Sequence, residues 1–495
     1  MSFERPVAVS INKLGEHRGS QRLWLEGMKL VRAGIGPGDR FSLEWDAESG
    51  RITLAFKEDG DRVVSKRTRH NREMPIIDIG GDAVETALGE GLERAQVTIF
   101  KGRIVVDVHP DDKAARERIE RLVERVRNGE QLETGSLAHG GGIIDHAIHS
   151  GMHDAGLSTR LAFAVEYDDE IADVAPMNNP IWDDRTIQVH GGMQYVDPSL
   201  LPKVDVLVAG LPCTGASKAG KAKNKNRLTE THETAGGLVV PFLQIVKATS
   251  PAVVILENVV PYGTSASAEL IRASLTTWGY DVSEVTLDGN EFGALEQRKR
   301  LCLIGHSKEL SIALDRLLPT RTKEKSLAEI LETLSPDDPR WRSYAHHLKK
   351  AASDAAAGKN FKFNLIDPKA GFVGAMGAGY AKDRQTEPHI KHPTEEKARL
   401  LTPVEHARAK TVPPELVVGV SATLAHKILG NSVIWSAWHA VGKHMGAVMN
   451  ATAGVEVVDT TFEEIVEGPA LAMFRISDEA HEWEQGDLFE APAPR

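Results

Sequence analysis

The chain has 495 residues, of which 41% are apolar, and carries a formal net charge of −11 at pH 7. This length allows two or three domains with a large buried core, and the negative charge argues against a chain that coats nucleic acid along its whole surface. Only two cysteines are present, so neither a disulfide framework nor a cysteine-based zinc site is expected. No apolar run is long enough to cross a membrane, and the N-terminus lacks the apolar segment of a secretory signal. We therefore expect a cytoplasmic protein with no membrane partner.

The first 110 residues contain an internal similarity. From Val9 and again from Val64, the chain gives a strand beginning Val-Ser, a polar turn, a short apolar run, a small helical segment and a hairpin. This order loosely resembles the swapped-hairpin AbrB-type DNA-binding domain. The simpler alternative is a β-rich domain that only packs against its neighbour. We predict a β-rich N-terminal domain over residues 1–110, which could bind DNA.

Residues 111–134 are predicted to form a linker helix, because charged residues alternate with Ile, Leu and Val at the spacing of an exposed amphipathic helix. From residue 135 to about 305, short apolar runs alternate with helical stretches, which predicts a doubly wound α/β domain with a parallel sheet. Ligands of such sheets bind at the carboxyl ends of the strands. The predicted strands are 161–166, 205–210, 252–259 and 301–305, and the predicted helices are 143–156 and 232–249.

Two features of this region indicate an adenosine-containing cofactor. A glycine-rich turn, Gly140 to Gly142, follows the first strand, where backbone amides can approach a ligand closely. Glu166 ends the next strand, from which a carboxylate can accept hydrogen bonds from ribose hydroxyls. A glycine-rich turn alone would be weak evidence, so the prediction depends on both features together.

Three histidines after the glycine-rich turn have helical spacing and could mimic a metal site. No cysteine or group of carboxylates accompanies them in the sequence, and imidazoles on a helix are more often exposed or hydrogen-bonded to the protein. We therefore predict no metal. The histidines are His146, His149 and His153.

A candidate nucleophile follows the next apolar strand. Cys213 lies in a Pro-Cys turn and precedes a lysine-rich loop, where positive charge favours the reactive thiolate. Glu257 ends the following strand, so both groups would share one cleft, and Arg298 and Arg300 precede another strand. Taken alone, Cys213 would more simply be an inert buried thiol, and the lysines a solvated loop. The second cysteine, Cys302, is expected to be buried in a strand.

Seven motifs follow one another between residues 135 and 450: the glycine-rich turn, a strand-ending Glu, Pro-Cys, Glu-Asn-Val, Arg-x-Arg, Arg-Leu-Leu-Thr-Pro-Val-Glu-His-Ala-Arg and Leu-Gly-Asn-Ser-Val. Each alone is weakly specific, but together and in this order they are similar to the motifs of the DNA cytosine-5 methyltransferase family. The resemblance implies a Rossmann-like α/β methyltransferase domain with S-adenosylmethionine as cofactor. It also implies double-stranded DNA as partner, and an enzyme of the nucleoid that could act as a monomer.

The resemblance also implies roles for individual residues. Cys213 would attack C6 of a flipped-out cytosine, Glu257 would hold or protonate N3, and Arg298 and Arg300 would support the base. The implied cofactor-binding residues are Gly140, Gly141, Gly142, Glu166, Tyr167, Pro212, Asn431 and Ser432. The implied nucleic-acid contacts are Lys218, Lys221, Lys223, Lys225 and Arg227, with Lys382, Arg384 and Lys391 in the recognition region.

The resemblance also implies a domain arrangement, in which the catalytic domain spans 135–306 and is completed by 396–455. A target recognition region lies at 307–395, and an acidic tail at 456–495. Two alternatives remain. The same catalytic set occurs in tRNA cytosine-5 methyltransferases, and a catalytically weakened DNA-binding regulator could retain the fold.

The sequence departs from the family pattern at several positions. The glycine-rich turn fits the family's Phe-x-Gly-x-Gly-Gly in neither of two registers, one of which places His139 at the first glycine. Gly192 stands where an aspartate commonly reads the adenine amino group, and Thr214 and Glu296 replace glutamines. These changes weaken the cofactor prediction more than the catalytic one.

Overall fold

The computed structural model describes residues 4–17, 19–47, 49–69, 71–80, 82–89, 92–212, 237–358 and 363–456. Residues Met1–Val455 form one compact unit. All of the predicted acidic tail except Glu456 lies outside the described residues.

The N-terminal region is rich in antiparallel strands, as predicted. Its strands are short and mostly alternate between buried and exposed side chains, which is the pattern of sheets with one solvated face. The elements are β1 (Ala8–Lys13), β2 (Gly15–His17), β3 (Ser20–Glu26), α1 (Met28–Arg32), β4 (Arg40–Asp46), β5 (Arg51–Phe56), β6 (Arg62–Val63), β7 (Ser65–Arg69), β8 (Arg72–Gly80), α2 (Asp82–Leu88), β9 (Arg94–Phe100) and β10 (Arg103–Val108).

These strands form a six-stranded sheet, β1-β9-β10-β5-β4-β6, and a four-stranded sheet, β2-β3-β8-β7. Each half of the region supplies two hairpins and one helix, in the same order, so the repeated order that the sequence predicts is present. The first half comprises β2 to β5 and the second half β7 to β10. Strand β1, which precedes the first half, pairs with β9 of the second, and β6, which precedes the second half, pairs with β4 of the first. The two halves therefore exchange strands reciprocally and share one core. The AbrB-type resemblance stays a prediction.

Helix α3 (Pro110–Asn128) is present where a linker helix was predicted, but the expectation that it is exposed was wrong. Arg118 is only 2% exposed and donates to Ser307 Oγ at 3.0 Å, and Arg121 Nε donates to Asp205 Oδ1 at 3.0 Å. The arginines that suggested a solvated surface thus bind the α/β domain that follows. The apolar residues buried on the same helix are Ile119, Leu122 and Val126.

A seven-stranded sheet forms the centre of the next region, in the order β13-β12-β11-β14-β15-β18-β16. Its elements, with the adjoining helices, are β11 (Leu132–Leu137), α4 (Ile143–Asp154), β12 (Thr159–Glu166), α5 (Asp169–Ala172), α6 (Val174–Asn178), β13 (Ile187–His190), β14 (Val206–Gly210), α7 (Val239–Thr249), β15 (Val253–Asn258), α8 (Ala266–Thr277), β16 (Tyr280–Asp288), β17 (Glu296–Gln297) and β18 (Lys299–Ser307).

The first five strands of this sheet are parallel, as predicted, but β18 runs antiparallel to both β15 and β16. The beginning of β18 therefore lies at the edge where β14 and β15 end. Alternate residues of the central strands face different helix layers, since Val206 and Val208 pack with α4 and Leu207 packs with α7 and α8. This confirms the doubly wound architecture.

The remaining elements complete the α/β domain and form a smaller region of short strands, which lies mostly within the stretch predicted to be the target recognition region. A four-stranded sheet, β19-β23-β22-β20, and the pair β17-β21 lie in this part. In the part of the chain that the structure describes, no helix is long and apolar enough to span a membrane. The elements are β19 (Arg342–Ser343), α9 (Ala345–Ala356), β20 (Leu365–Ile366), β21 (Val373–Gly374), β22 (His389–Lys391), β23 (Lys397–Arg399), α10 (Pro403–Ala409), α11 (Ala422–Asn431) and α12 (Trp435–Ala453).

Helix α12 packs directly along α4, which joins the end of the described chain to the start of the catalytic domain. A Cβ added to Gly151 would lie 2.1 Å from the carbonyl oxygen of His439, and one added to Gly442 would lie 2.4 Å from that of Ile148. Both glycines are therefore required for the close approach of the two helices.

Candidate active site

The turn between β11 and α4 requires glycine for two physical reasons. Gly140 and Gly142 have φ values of +58° and +69°, which side chains rarely adopt. A Cβ on Gly141 would lie 2.6 Å from Ile428 Cγ2, and one on Gly142 would lie 2.6 Å from His139 Nε2. The close approaches at Gly141 and Gly142 favour the register in which these are the final glycine pair and His139 stands at the first glycine.

Glu166 lies directly beside this turn, so the structure brings the two predicted cofactor-binding features together. Its Oε2 accepts a hydrogen bond from the Gly140 amide at 2.7 Å, and its Oε1 accepts from the amides of Tyr167 and Asp168 at 3.0 Å each. The carboxylate is thus held in one orientation at the carboxyl end of β12. The Tyr167 residue is 68% exposed and offers an aromatic face next to it. A fixed carboxylate, an exposed ring and a glycine cradle fit an adenosine ligand.

Helix α11 returns to the same place from the far end of the chain. Lys427 Nζ forms an ion pair with Asp168 Oδ2 at 2.6 Å, and Ile428 packs on Gly141. Asn431 is exposed at the end of this helix, and Ser432 Oγ donates to the Leu429 carbonyl at 2.7 Å. The late Leu-Gly-Asn-Ser-Val motif therefore ends a helix that contacts the glycine turn. Lys427 was missed at the sequence level, because its partner is 259 residues away.

Gly192, the second departure from the family pattern, lies just beyond β13. A Cβ at this position would lie 2.5 Å from both terminal atoms of the Gln194 carboxamide. The Gln194 carboxamide thus fills the space in which the resemblance expects an aspartate side chain.

A carboxylate and a guanidinium pair at the carboxyl edge of the sheet. Glu257 ends β15, and its Oε1 lies 2.8 Å from Arg300 Nε, with both side chains less than 20% exposed. Arg300 reaches this edge because β18 is antiparallel to β15. Glu257 is also the register partner of Gly210, the last residue of β14. The pair is therefore fixed beside the segment that leads to Cys213.

Arg298 is buried and contacts a different part of the chain. Its Nη2 donates to the Gly430 carbonyl at 3.0 Å, and its Nη1 lies 3.5 Å from Glu296 Oε1. It thus links the start of β18 to the end of α11.

The segment between β14 and Cys213 is held by Asn258. This side chain is 1% exposed, and its Nδ2 donates to the Leu211 carbonyl at 3.1 Å. Asn258 therefore fixes the backbone two residues before Cys213. The sequence analysis gave this residue no role, although it lies in the Glu-Asn-Val motif. Pro212 is the last residue described before this point. Cys213 and the predicted loop cations Lys218, Lys221, Lys223, Lys225 and Arg227 lie outside the described residues.

Glu296, which replaces a family glutamine, has a buried cationic partner. Lys410 Nζ lies 2.8 Å from Glu296 Oε1, and neither side chain is exposed. Burial lowers the pKa of Lys410 to about 7. Two buried imidazoles, His406 and His426, contact each other nearby through their Nδ1 atoms at 3.0 Å. The departure at Glu296 is thus matched by a lysine rather than left as an unpaired buried charge.

The three histidines of α4 line one cavity, but His146 and His149 bind different groups. His149 is buried, and its two ring nitrogens lie 2.8 Å from Thr134 Oγ1 and 2.8 Å from Thr159 Oγ1. His146 Nδ1 accepts from the Trp435 indole, whereas His153 is exposed. No group of three potential metal ligands occurs within the described ranges of the chain.

We expect His149 to make folding sensitive to acid. Burial lowers its pKa from 6.5 to about 4, so the unfolded chain binds more protons between these values and stability falls as pH falls through this window. The full effect is about 3 kcal/mol. Urea unfolding at several pH values should show a shallower acid slope for His149→Gln, and an unchanged slope for the exposed control His153→Gln. Equal slopes for His149→Gln and the unmodified protein would contradict this expectation.

The cations predicted to contact nucleic acid within residues 307–395 are accessible to solvent. Lys382, Arg384 and Lys391 are all exposed. Their side chains are accessible to a phosphate backbone, and which base or phosphate each contacts stays a prediction.

The proteins and the family model to which this chain is similar are all methyltransferases. A family model described as C-5 cytosine-specific DNA methylase matches residues 132–447, from β11 into α12. The Type II methyltransferase M1.ScrFI of Lactococcus lactis subsp. cremoris is 29% identical over 273 residues, which are 52% of this chain and 67% of that protein. The Type II methyltransferase M.NlaX of Neisseria lactamica is 28% identical over 278 residues, 54% of this chain and 84% of that protein.

A solved structure shares the fold. The methyltransferase EhMeth of Entamoeba histolytica superposes with a TM-score of 0.51 at 13% identity, covering 64% of this chain and 98% of that one. At this identity the likeness concerns the fold alone. The family match leaves the N-terminal β-rich region uncovered.

Proposed function

Because this chain belongs to the C-5 cytosine-specific DNA methylase family, we propose that it transfers a methyl group from S-adenosylmethionine to C5 of cytosine in double-stranded DNA, at a short specific sequence. The observation that carries this proposal is the Glu257–Arg300 pair, fixed at 2.8 Å beside the exit of β14 that leads to Cys213. We also propose that it acts as a monomer, since the sequence of one chain contains all of these groups.

The target cytosine must leave the helix, because C6 cannot be reached while the base is stacked. Flipping costs a few kcal/mol, which contacts to the phosphates offset. The lysines that follow Cys213 are suited to this task, as are the exposed cations of the recognition region.

Cys213 acts as the nucleophile. C5 of cytosine is a poor nucleophile, but addition of the thiolate to C6, with a proton delivered to N3, turns C5 into an enamine carbon. S-adenosylmethionine, when bound, supplies the methyl group for this carbon. Transfer of the C5 proton to water, return of the N3 proton to Glu257 and elimination of the Cys213 thiolate then restore the aromatic ring and release the enzyme, with S-adenosylhomocysteine as the second product. The Asn258 contact at Leu211 keeps the backbone before the nucleophile in place.

Glu257 serves as the acid at N3. Its carboxyl group needs one oxygen directed at the base, and the hydrogen bond from Arg300 Nε to Oε1 fixes the other. The guanidinium therefore orients the acid. We propose that Arg298 supports this edge of the sheet from inside the protein, through its hydrogen bond to the Gly430 carbonyl of α11.

The cofactor is held by the glycine turn and its neighbours. We propose that the Glu166 carboxylate, beyond the backbone amides that it already binds, accepts a hydrogen bond from a ribose hydroxyl, and that the exposed Tyr167 ring contacts the adenine. We propose that the glycine turn and Pro212 line one side of this site, and that Asn431 and Ser432, at the end of α11, line another.

Transfer of tritiated methyl groups from S-adenosylmethionine to duplex DNA, with tRNA as a parallel acceptor, tests this function. Label in DNA and none in tRNA is expected, since a recognition region and an N-terminal domain both favour a large duplex substrate. Label in tRNA alone would establish the RNA enzyme. DNA binding with no label in either acceptor would establish a regulator instead, although such a protein would have no use for Cys213, Glu257, Arg298 and Arg300 together.

We propose that the N-terminal β-rich region adds affinity for DNA. All five residues of β7 are exposed, and three of them are cations, Lys66, Arg67 and Arg69. Deletion of residues 1–108, which leaves α3 and its cap intact, should weaken binding of duplex DNA several-fold and flatten its salt dependence. Methyl transfer at saturating DNA should persist. An unfolded product would show that the region is structural, and unchanged DNA affinity would exclude the DNA-binding role.

A further inference from the structure

His139 stands where the family has its first glycine, and both of its ring nitrogens form hydrogen bonds. Nε2 lies 3.2 Å from Trp182 Nε1, and because an indole N–H only donates, Nε2 must accept. The proton is therefore on Nδ1, which lies 2.9 Å from Ser136 Oγ and 3.0 Å from Asp145 Oδ2. The residue is 4% exposed. The imidazole is thus fixed in one tautomer and one orientation next to the glycine turn.

A second contact joins the same two segments. Asn179, which is 3% exposed, donates from Nδ2 to the Gly142 carbonyl at 3.0 Å. Residues 179–182 therefore hold the glycine turn at two points, through Asn179 and through the hydrogen bond from Trp182 to His139. The turn in turn holds Glu166, through the Gly140 amide.

We propose that His139 is a positioning residue for S-adenosylmethionine, and that the Trp182–His139–Asp145 hydrogen-bond chain holds the glycine turn in the shape that binds it. This inference rests on the proposed function. Removal of the imidazole would leave a void beside Gly142 and deprive the buried Asp145 carboxylate of a donor. The glycine turn would then lose its fixed shape, and the Gly140 amide would no longer hold the Glu166 carboxylate in one orientation. His139 does not face the Glu257–Arg300 pair in any contact that the structure gives, so cofactor affinity should change and the methyl-transfer step should not.

The test is calorimetric titration of the full-length protein with S-adenosylmethionine, together with steady-state kinetics. His139→Ala should bind the cofactor about tenfold more weakly and raise its KM by a similar factor, with kcat within about twofold. His139→Asn, whose amide can still donate towards Asp145, should be intermediate. Trp182→Phe removes the indole donor and keeps an aromatic ring, though a smaller one, and combined with His139→Ala it should add little further loss, because the two residues act in one hydrogen-bond chain. The exposed His153→Ala is the matched control and should bind as the unmodified protein does.

The outcomes separate this inference from the function on which it rests. If the unmodified protein fails to bind S-adenosylmethionine, the proposed function fails and the inference with it. If the unmodified protein binds it and His139→Ala and Trp182→Phe bind equally well, the inference alone is overturned. A fall in kcat with unchanged cofactor KM would also overturn it. Should His139→Ala not fold, His139→Asn and Trp182→Phe, which preserve most of the packing, decide the question.

Discussion

Replacing Cys213 with serine should abolish methyl transfer while leaving the binding of duplex DNA intact. A serine hydroxyl is almost never ionised near neutral pH, so the attack on C6 loses its nucleophile, and we expect kcat to fall by at least about a thousandfold. DNA binding depends on phosphate contacts and on flipping, neither of which needs the sulfur. Single-turnover methylation and a gel-shift titration on the same DNA measure the two properties separately.

Cys302→Ala is the matched control for this variant. Cys302 is fully buried in β18, and burial raises the pKa of its thiol well above the usual range, so it supplies no thiolate. This variant should keep its turnover. Undiminished methylation by Cys213→Ser would refute the nucleophile assignment.

Replacing Glu257 with glutamine should lower kcat by about a hundredfold to a thousandfold, because the amide keeps the shape of the acid but has no proton to give to N3. The amide oxygen can still accept from Arg300, so the fold and cofactor binding should be retained. Rapid-quench kinetics at saturating cofactor and DNA isolate this step.

Glu284→Gln is the matched control for Glu257→Gln. Glu284 lies on β16 of the same sheet and pairs with Arg272 at the surface, away from the strand ends. Its replacement should leave kcat unchanged. Equal effects of the two substitutions would indicate a general loss of stability rather than loss of an acid.

The sequence was informative where local pattern determines structure. Short apolar runs between helical stretches predicted the parallel strands, and the rule that their carboxyl ends share an edge placed Glu166 beside the glycine turn, as the hydrogen bond to Gly140 confirms. The family resemblance is confirmed by the match over residues 132–447. The roles of Cys213 and of the residues around it stay predictions.

The sequence was least informative where the structure depends on the direction of a strand or on contacts between residues far apart in the chain. An apolar run does not reveal strand direction, so the antiparallel course of β18, which brings Arg300 to Glu257, was not predicted. The arginines of α3 looked solvated because their partners, such as Asp205, come much later in the chain. Glu296 was recognised only as a departure, since its partner Lys410 is 114 residues away.

The most direct test of the account is base-resolution mapping of 5-methylcytosine in duplex DNA after incubation with the purified protein and S-adenosylmethionine. We expect the modification at C5 of cytosine within one short sequence, absent when Cys213→Ser replaces the unmodified enzyme. Methylation at another atom or on another base, or no modification of DNA under conditions in which the cofactor binds, would contradict the account.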